Sequence, residues 1–156
     1  NPWPGGLGTL YDINSSVLGG GLAVPMIAAF APKKVIDDTI NSIFAPVPAP
    51  TGYNDYIGPR LTTRKQTIRV NARQVNGLLP HIKSMVSSYP TITQPTELVH
   101  GLADTIVPFD IHSVHLIDQI PNAKLTTLDD AGHMPQHTHE DAVVAAIARA
   151  ASRSAP

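Results

Sequence analysis

The chain contains no cysteine, so it has no disulfide framework, and redox chemistry gives no hint of its compartment. Charge of one sign is also missing. The formal net charge is -1, with Lys and Arg scattered, which leaves neither a basic footprint for nucleic acid nor a polybasic anchor for a membrane surface. No apolar run approaches the ~18 residues of a membrane span. The nearest, Val17 to Ala31, is broken by Gly19, Gly20, Gly21 and Pro25 and lacks the basic start of a signal peptide. No internal repeat is apparent.

A length of 156 residues suits one domain with a real core, and 42% hydrophobic content is ordinary for a globular chain. The stretch from Pro95 to Pro135 organises the rest. Thr96 to His100 is short, carries Leu98 and Val99, and stops at Gly101, which marks a strand ending in a turn. Ile111, Val114, Ile117 and Ile120 then recur three apart, predicting a helix over Phe109 to Ile120 with Asp110 at its cap. Lys124 to Leu128 is a second strand by its β-branched content and length. Strand, helix and strand in that order predict a right-handed βαβ unit whose strands are parallel and adjacent. Both following loops leave from the same carboxyl edge, where open α/β sheets bind ligands, so Asp104 and His133 can meet there. A carboxylate beside an imidazole selects one tautomer and stabilises the imidazolium formed when the ring takes a proton.

These residues resemble the α/β-hydrolase family. Its late acid motif, G-x-x-D-x-x-V-P, is matched by Gly101 to Pro108, and its G-H-x-P motif by Gly132-His133-Met134-Pro135. The Ile120-Pro121-Asn122-Ala123 entry to the second strand is similar too. The resemblance covers residues 95–156 and implies the carboxyl-terminal part of a hydrolase core, with Asp104 and His133 as catalytic acid and base and no cofactor. Residues 1–94 resemble, more loosely, the mainly helical cap that many such enzymes insert before the late strands. The fold expected is therefore α/β: a parallel βαβ unit from the late part of the core, preceded by a helical cap segment. One part of the pattern is missing. The family's nucleophile sits in G-x-S-x-G, and no two glycines here are four apart.

Within the first segment, Asn1 to Ile13 is a Pro/Gly-rich loop in which Trp3 and Tyr11 cover a core edge or line a pocket. Pro32 to Phe44 predicts an amphipathic helix with Val35, Ile36, Thr39, Ile40 and Ile43 on one face. Ala45 to Tyr56 reads as an irregular connector. Arg60 to Tyr89 is helix-compatible, with Gly77 and Pro80 expected to break it. Its covered face is Ile68, Ala72, Val75 and Leu79, and its wet face Arg60, Arg64, Lys65, Arg69 and Arg73. At the other end, Thr138 to Ala151 predicts a helix with Thr138 and Asp141 as a weak capping box and Arg149 and Arg153 at its dipole end. Glu97 interrupts an otherwise apolar strand, which implies a charge partner or a less covered face.

Among the other histidines, His137 and His139 are expected to be exposed, while His100, His112 and His115 have structural roles. A metal held by His133, His137 and His139 is disfavoured because Pro135 denies the first two a shared helix. Asp104 is preferred to Asp129 and Asp130, which would have to fold back sharply to reach His133. The plainer role for Asp104 is to close its own turn through backbone N–H groups. Two functions follow. In the first, the chain supplies acid and base to a hydrolase acting on an ester or similar bond of a small molecule, the nucleophile coming from an upstream N-terminal portion; epoxide and haloalkane hydrolysis stay open. In the second, it is a non-catalytic binding module that self-associates through an open sheet edge.

Overall fold

A computed structural model describes residues 32–61 and 64–154. They fall into two compact units, one of residues 32–38 and 52–86, the other of Thr39–Thr51 and residues 87–154. The expectations for Trp3, Tyr11 and the run from Val17 to Ala31 lie outside the described residues.

Helix α1, Lys33–Phe44, opens directly after Pro32, whose carbonyl accepts from the Val35 and Ile36 amides. Its outer face carries the i,i+4 pairs Lys33–Asp37 and Lys34–Asp38, surface contacts that solvent screens and that add little to stability. Val35 stays exposed, whereas Ile40 and Phe44 are buried. A short helix α2, Tyr53–Ile57, interrupts the stretch expected to be irregular. It is bounded by Gly52 and Gly58 at φ 78° and 57°, a left-handed backbone that only glycine adopts without cost.

Helix α3, Lys65–Met85, runs unbroken for 21 residues with Pro80 inside it. The expected break at Gly77 and Pro80 does not occur. A helix of this length loses one bond at the proline and about 1 kcal/mol at the glycine, and the turns on either side carry it through. Ala72 is buried and Ile68, Val75 and Leu79 are partly covered, on the side expected. Arg64 and Arg73 are exposed, but Arg69 is half-buried. A 3-10 segment, Val86–Thr91, follows.

The second unit is built on β1, Thr96–Gly101, and β2, Ala123–Leu128. They pair in parallel, in register from Thr96↔Ala123 to Gly101↔Leu128, as the βαβ reading requires. Between them the expected twelve-residue helix is a single turn, α4, Ser113–Leu116, set among turns that bond to Pro108, Phe109 and Leu116 carbonyls. The cap position of α4 is taken by His112, not Asp110, and makes no side-chain cap bond. His112, Ser113, Val114 and His115 are weak helix formers, and the Ser113 hydroxyl is drawn to His100. Ile120 is nonetheless buried, while Val114 is partly exposed.

After β2 come α5, Pro135–Thr138, and α6, Glu140–Ser154. Thr138 is thus the end of α5 rather than the cap of the last helix, and the His139 carbonyl accepts the first amides of α6, from Ala142 and Val143. Helix α6 packs on β1, burying Ala146 and leaving Val144 and Ile147 exposed. Arg153 stands in the last turn of α6, as expected for the dipole, and with Arg149 it has a second task. Both bond Glu97 on β1, Arg149 through Nη2 to Oε2 and Arg153 through Nη2 to Oε1, each at 2.9 Å, and the Glu97 side chain is only 5% exposed. Arg149 also donates to Thr126 Oγ1 at 2.8 Å, and Arg153 to the carbonyls of Asn122 and Thr96. Glu97 therefore has the charge partner that its place in an apolar strand demands. No described helix is long and apolar enough to cross a membrane.

Candidate active site

The site is assembled where β1 and β2 end. Gly101 closes β1 against the following loop of β2, so closely that a Cβ there would overlap the Ala131 and Gly132 backbone. The Ala103 amide donates to the Ala131 carbonyl at 3.1 Å, locking the two loops side by side. Gly132 is similarly pressed on the Ala45 carbonyl, and the next amide, His133 N–H, donates to the Ile43 carbonyl at 3.3 Å. Glycine is required at both positions by close approach of backbone.

On this frame Asp104 Oδ2 lies 2.8 Å from His133 Nδ1. The two candidates come together across 29 residues of sequence. Asp104 Oδ1 accepts the amides of Ile106 and Val107, each at 2.8 Å, so the carboxylate also closes its own turn; one oxygen does each task. The Asp104 side chain is 6% exposed. Burial pushes its carboxyl up, but the Val107 amide, the His133 ring and the Ile106 amide outweigh that and hold it below the usual carboxylate range. Asp104 is therefore an ionised acceptor at neutral pH, and the Nδ1 of a neutral His133 must carry the proton. Nε2 is then left with its lone pair, on a side chain that is 33% exposed. An imidazole so arranged is a base aimed outward with its conjugate acid stabilised from behind.

Behind this pair, His100 is buried and bonded on both ring nitrogens, Nδ1 to Ser113 Oγ at 2.6 Å and Nε2 to the Val107 carbonyl at 2.9 Å. Its structural role agrees with expectation; Ser113 was not singled out, since only the path of the turns brings it to β1. His112 is kept below the ordinary imidazole range by burial and by the proximity of His100, Asp104 opposing. His137 is exposed at the surface of α5, but His139 is not: it is 20% exposed, with Nε2 3.0 Å from Asp130 Oδ1 and Nδ1 2.8 Å from Thr138 Oγ1. Asp130 thus folds back to His139 rather than to His133. Among the described residues no group of three His, Asp or Glu side chains could hold a metal ion.

No family model and no curated protein matches the chain. Solved structures do. The chain is similar to 2-hydroxy-6-oxo-6-phenylhexa-2,4-dienoate hydrolase from Rhodococcus sp. strain RHA1, at 21% identity and a TM-score of 0.62 over 80% of this chain and 46% of that one. It is similar also to an esterase from Exiguobacterium antarcticum, at 15% identity and TM-score 0.60 over 91% and 48%. A third is MGS-M2, an alpha/beta hydrolase enzyme from a Medee basin deep-sea metagenome library, at 17% identity and TM-score 0.57 over 94% and 52%. The chain has an α/β-hydrolase fold. It spans about half the length of each of these structures. The parallel pair β1 and β2 brings Asp104 and His133 to one edge of the sheet.

Proposed function

We propose that this chain carries the acid and the base of a hydrolase that cleaves an ester or related acyl bond in a small molecule, the nucleophile being supplied by an upstream portion of the same fold. The observation that carries this reading is the 2.8 Å contact of Asp104 Oδ2 with His133 Nδ1 at the carboxyl edge of the sheet. The fold supports it, as do the printed names of its structural neighbours, which include a hydrolase and an esterase. His133 Nε2 takes the proton of the attacking hydroxyl or water, Asp104 stabilises the imidazolium, and the ring then returns the proton to the leaving group. On this reading residues 95–156 are the late part of the core, with Thr39–Thr51 in the same compact unit, and the remainder of residues 1–94 is a cap-like segment. By itself the chain has no G-x-S-x-G nucleophile turn, so we infer that it does not turn over alone. Combining it with the nucleophile-bearing portion and assaying short-chain esters tests the reading. Hydrolysis that falls by on the order of 10³-fold or more in His133→Ala and in Asp104→Asn supports it; hydrolysis unchanged in both variants rejects it.

A second reading is favoured by a different observation: Val144 and Ile147 of α6 are 62% and 64% exposed. Among the described residues the sheet has two strands, each with one unpaired edge, and such surfaces seek a complement. On this reading the chain is a non-catalytic module that self-associates. Size-exclusion chromatography separates the two: a dimer that persists when the nucleophile-bearing portion is added supports the module, and its replacement by a one-to-one complex supports the hydrolase.

A further inference from the structure

We propose that His100, held by Ser113, is a positioning residue for Asp104, an inference that rests on the acid–base reading of the site. Two imidazoles flank one carboxylate oxygen. Asp104 Oδ2 is 2.8 Å from His133 Nδ1 and 3.8 Å from His100 Nε2, and a ring that competed for that oxygen would loosen the bond to His133. The structure shows why His100 does not compete. Its Nε2 lies 2.9 Å from the Val107 carbonyl, and a carbonyl can only accept, so Nε2 carries a proton and spends it there.

In the opposite tautomer the Nε2 lone pair would face two acceptors, the Val107 carbonyl and Asp104 Oδ2. The Ser113 hydroxyl, 2.6 Å from Nδ1, settles the matter by donating to Nδ1. His100 and Ser113 are both 8% exposed, so no bulk water replaces either partner freely. The Phe109 ring, its centroid 5.5 Å from that of His100 and its plane tilted by 77°, packs against the imidazole in a T-shaped contact.

The consequence reaches the carboxylate through one residue. Val107 donates its amide to Asp104 Oδ1 and accepts at its carbonyl from His100, so the turn that aims Asp104 is gripped from both sides. Releasing His100 frees the Val107 carbonyl, lets the turn drift and opens Oδ2 to the second ring. His112 and Asp104 are the titratable groups whose fields act on or with His100 here.

The test is the tautomer of His133, read by 1H–15N NMR of the chain labelled at histidine, at neutral pH. The wild type shows His133 protonated at Nδ1 with a slowly exchanging proton, and Asp104→Ala loses that signal. Ser113→Ala and His100→Leu are expected to lose it as well, the ring reverting to the mixture of tautomers of free imidazole. His100→Gln, whose amide can donate to the Val107 carbonyl, retains it. Thr126→Ala, which removes a partly buried bond from the same sheet away from the loop, retains it too, separating the effect from general loosening. Should His100→Leu fail to fold, judged by protection of the β1 and β2 amides, Ser113→Ala decides. A signal that survives in folded Ser113→Ala, or that His100→Gln loses, overturns the positioning role alone. A wild type without the Nδ1 proton overturns both that role and the acid–base pair.

Discussion

Glu97 offers the clearest quantitative test of how the sheet is held to its last helix. Its carboxylate is 5% exposed and is bonded by Arg149 and Arg153, whose side chains are 42% and 25% exposed. Breaking a fully buried ion pair by removing one partner costs about 3–5 kcal/mol, because the other charge is stranded, whereas an exposed pair is worth about 0–1 kcal/mol. This pair is buried on one side only. Replacing both arginines by alanine strands the buried partner, so the cost lies toward the upper case; water reaching the arginines discounts it to roughly 2–3 kcal/mol. Replacing Glu97 by leucine instead leaves two arginines that can turn to solvent and puts an apolar side chain in a strand, for about 1 kcal/mol or less. The expected order is therefore asymmetric: Arg149→Ala with Arg153→Ala falls well below Glu97→Leu. Urea denaturation with m-values checks it, since a change in midpoint at constant m isolates stability. Equal losses, or a larger one for Glu97→Leu, would refute the reasoning, because they would mean that the pair contributes as a whole and not through the burial of one member.

Other outcomes follow from the loops and from titration. Gly132→Ala forces a methyl group against the Ala45 carbonyl, which backbone cannot easily yield; a loss of at least about 1–3 kcal/mol is expected, with a weakened His133 amide bond visible as faster hydrogen exchange at that position. Stability should also depend on pH in two steps. His112 titrates below its ordinary value in the fold, so its contribution is complete above about 6.5, the unfolded value, and is lost as pH falls through the folded one. Asp104 is likewise depressed, so its contribution is complete above about 3.9 and disappears on further acidification through its folded value. Urea midpoints measured from neutral to acid pH check this, and His112→Asn should flatten only the upper step.

The two strands are legible because β-branched residues, length and turn residues coincide in Thr96 to His100, before Gly101, and in Lys124 to Leu128, and parallel pairing follows from the order strand, helix, strand. Because both loops leave from the same carboxyl edge, the meeting of Asp104 and His133 is readable as well. What the sequence hid depends on context that local preference does not carry. Pro80 and Gly77 are helix breakers by propensity, yet a long helix absorbs them. The Ile111 to Ile120 stripe has the helical period, but weak formers at 112–115 and the claim of His100 on Ser113 reduce it to one turn. Ser113 with His100 and Asp130 with His139 are pairings set by the course of a turn, and no spacing rule announces them.

The sharpest measurement is a double-mutant cycle on kcat/KM for a short-chain ester, using the chain together with its nucleophile-bearing portion. If Asp104 exists to serve His133, Asp104→Asn should cost almost nothing further once His133→Ala is in place, although each alone slows the wild type by on the order of 10³-fold or more. Losses that simply multiply would show two residues acting independently and would contradict the pairing on which the hydrolase reading stands.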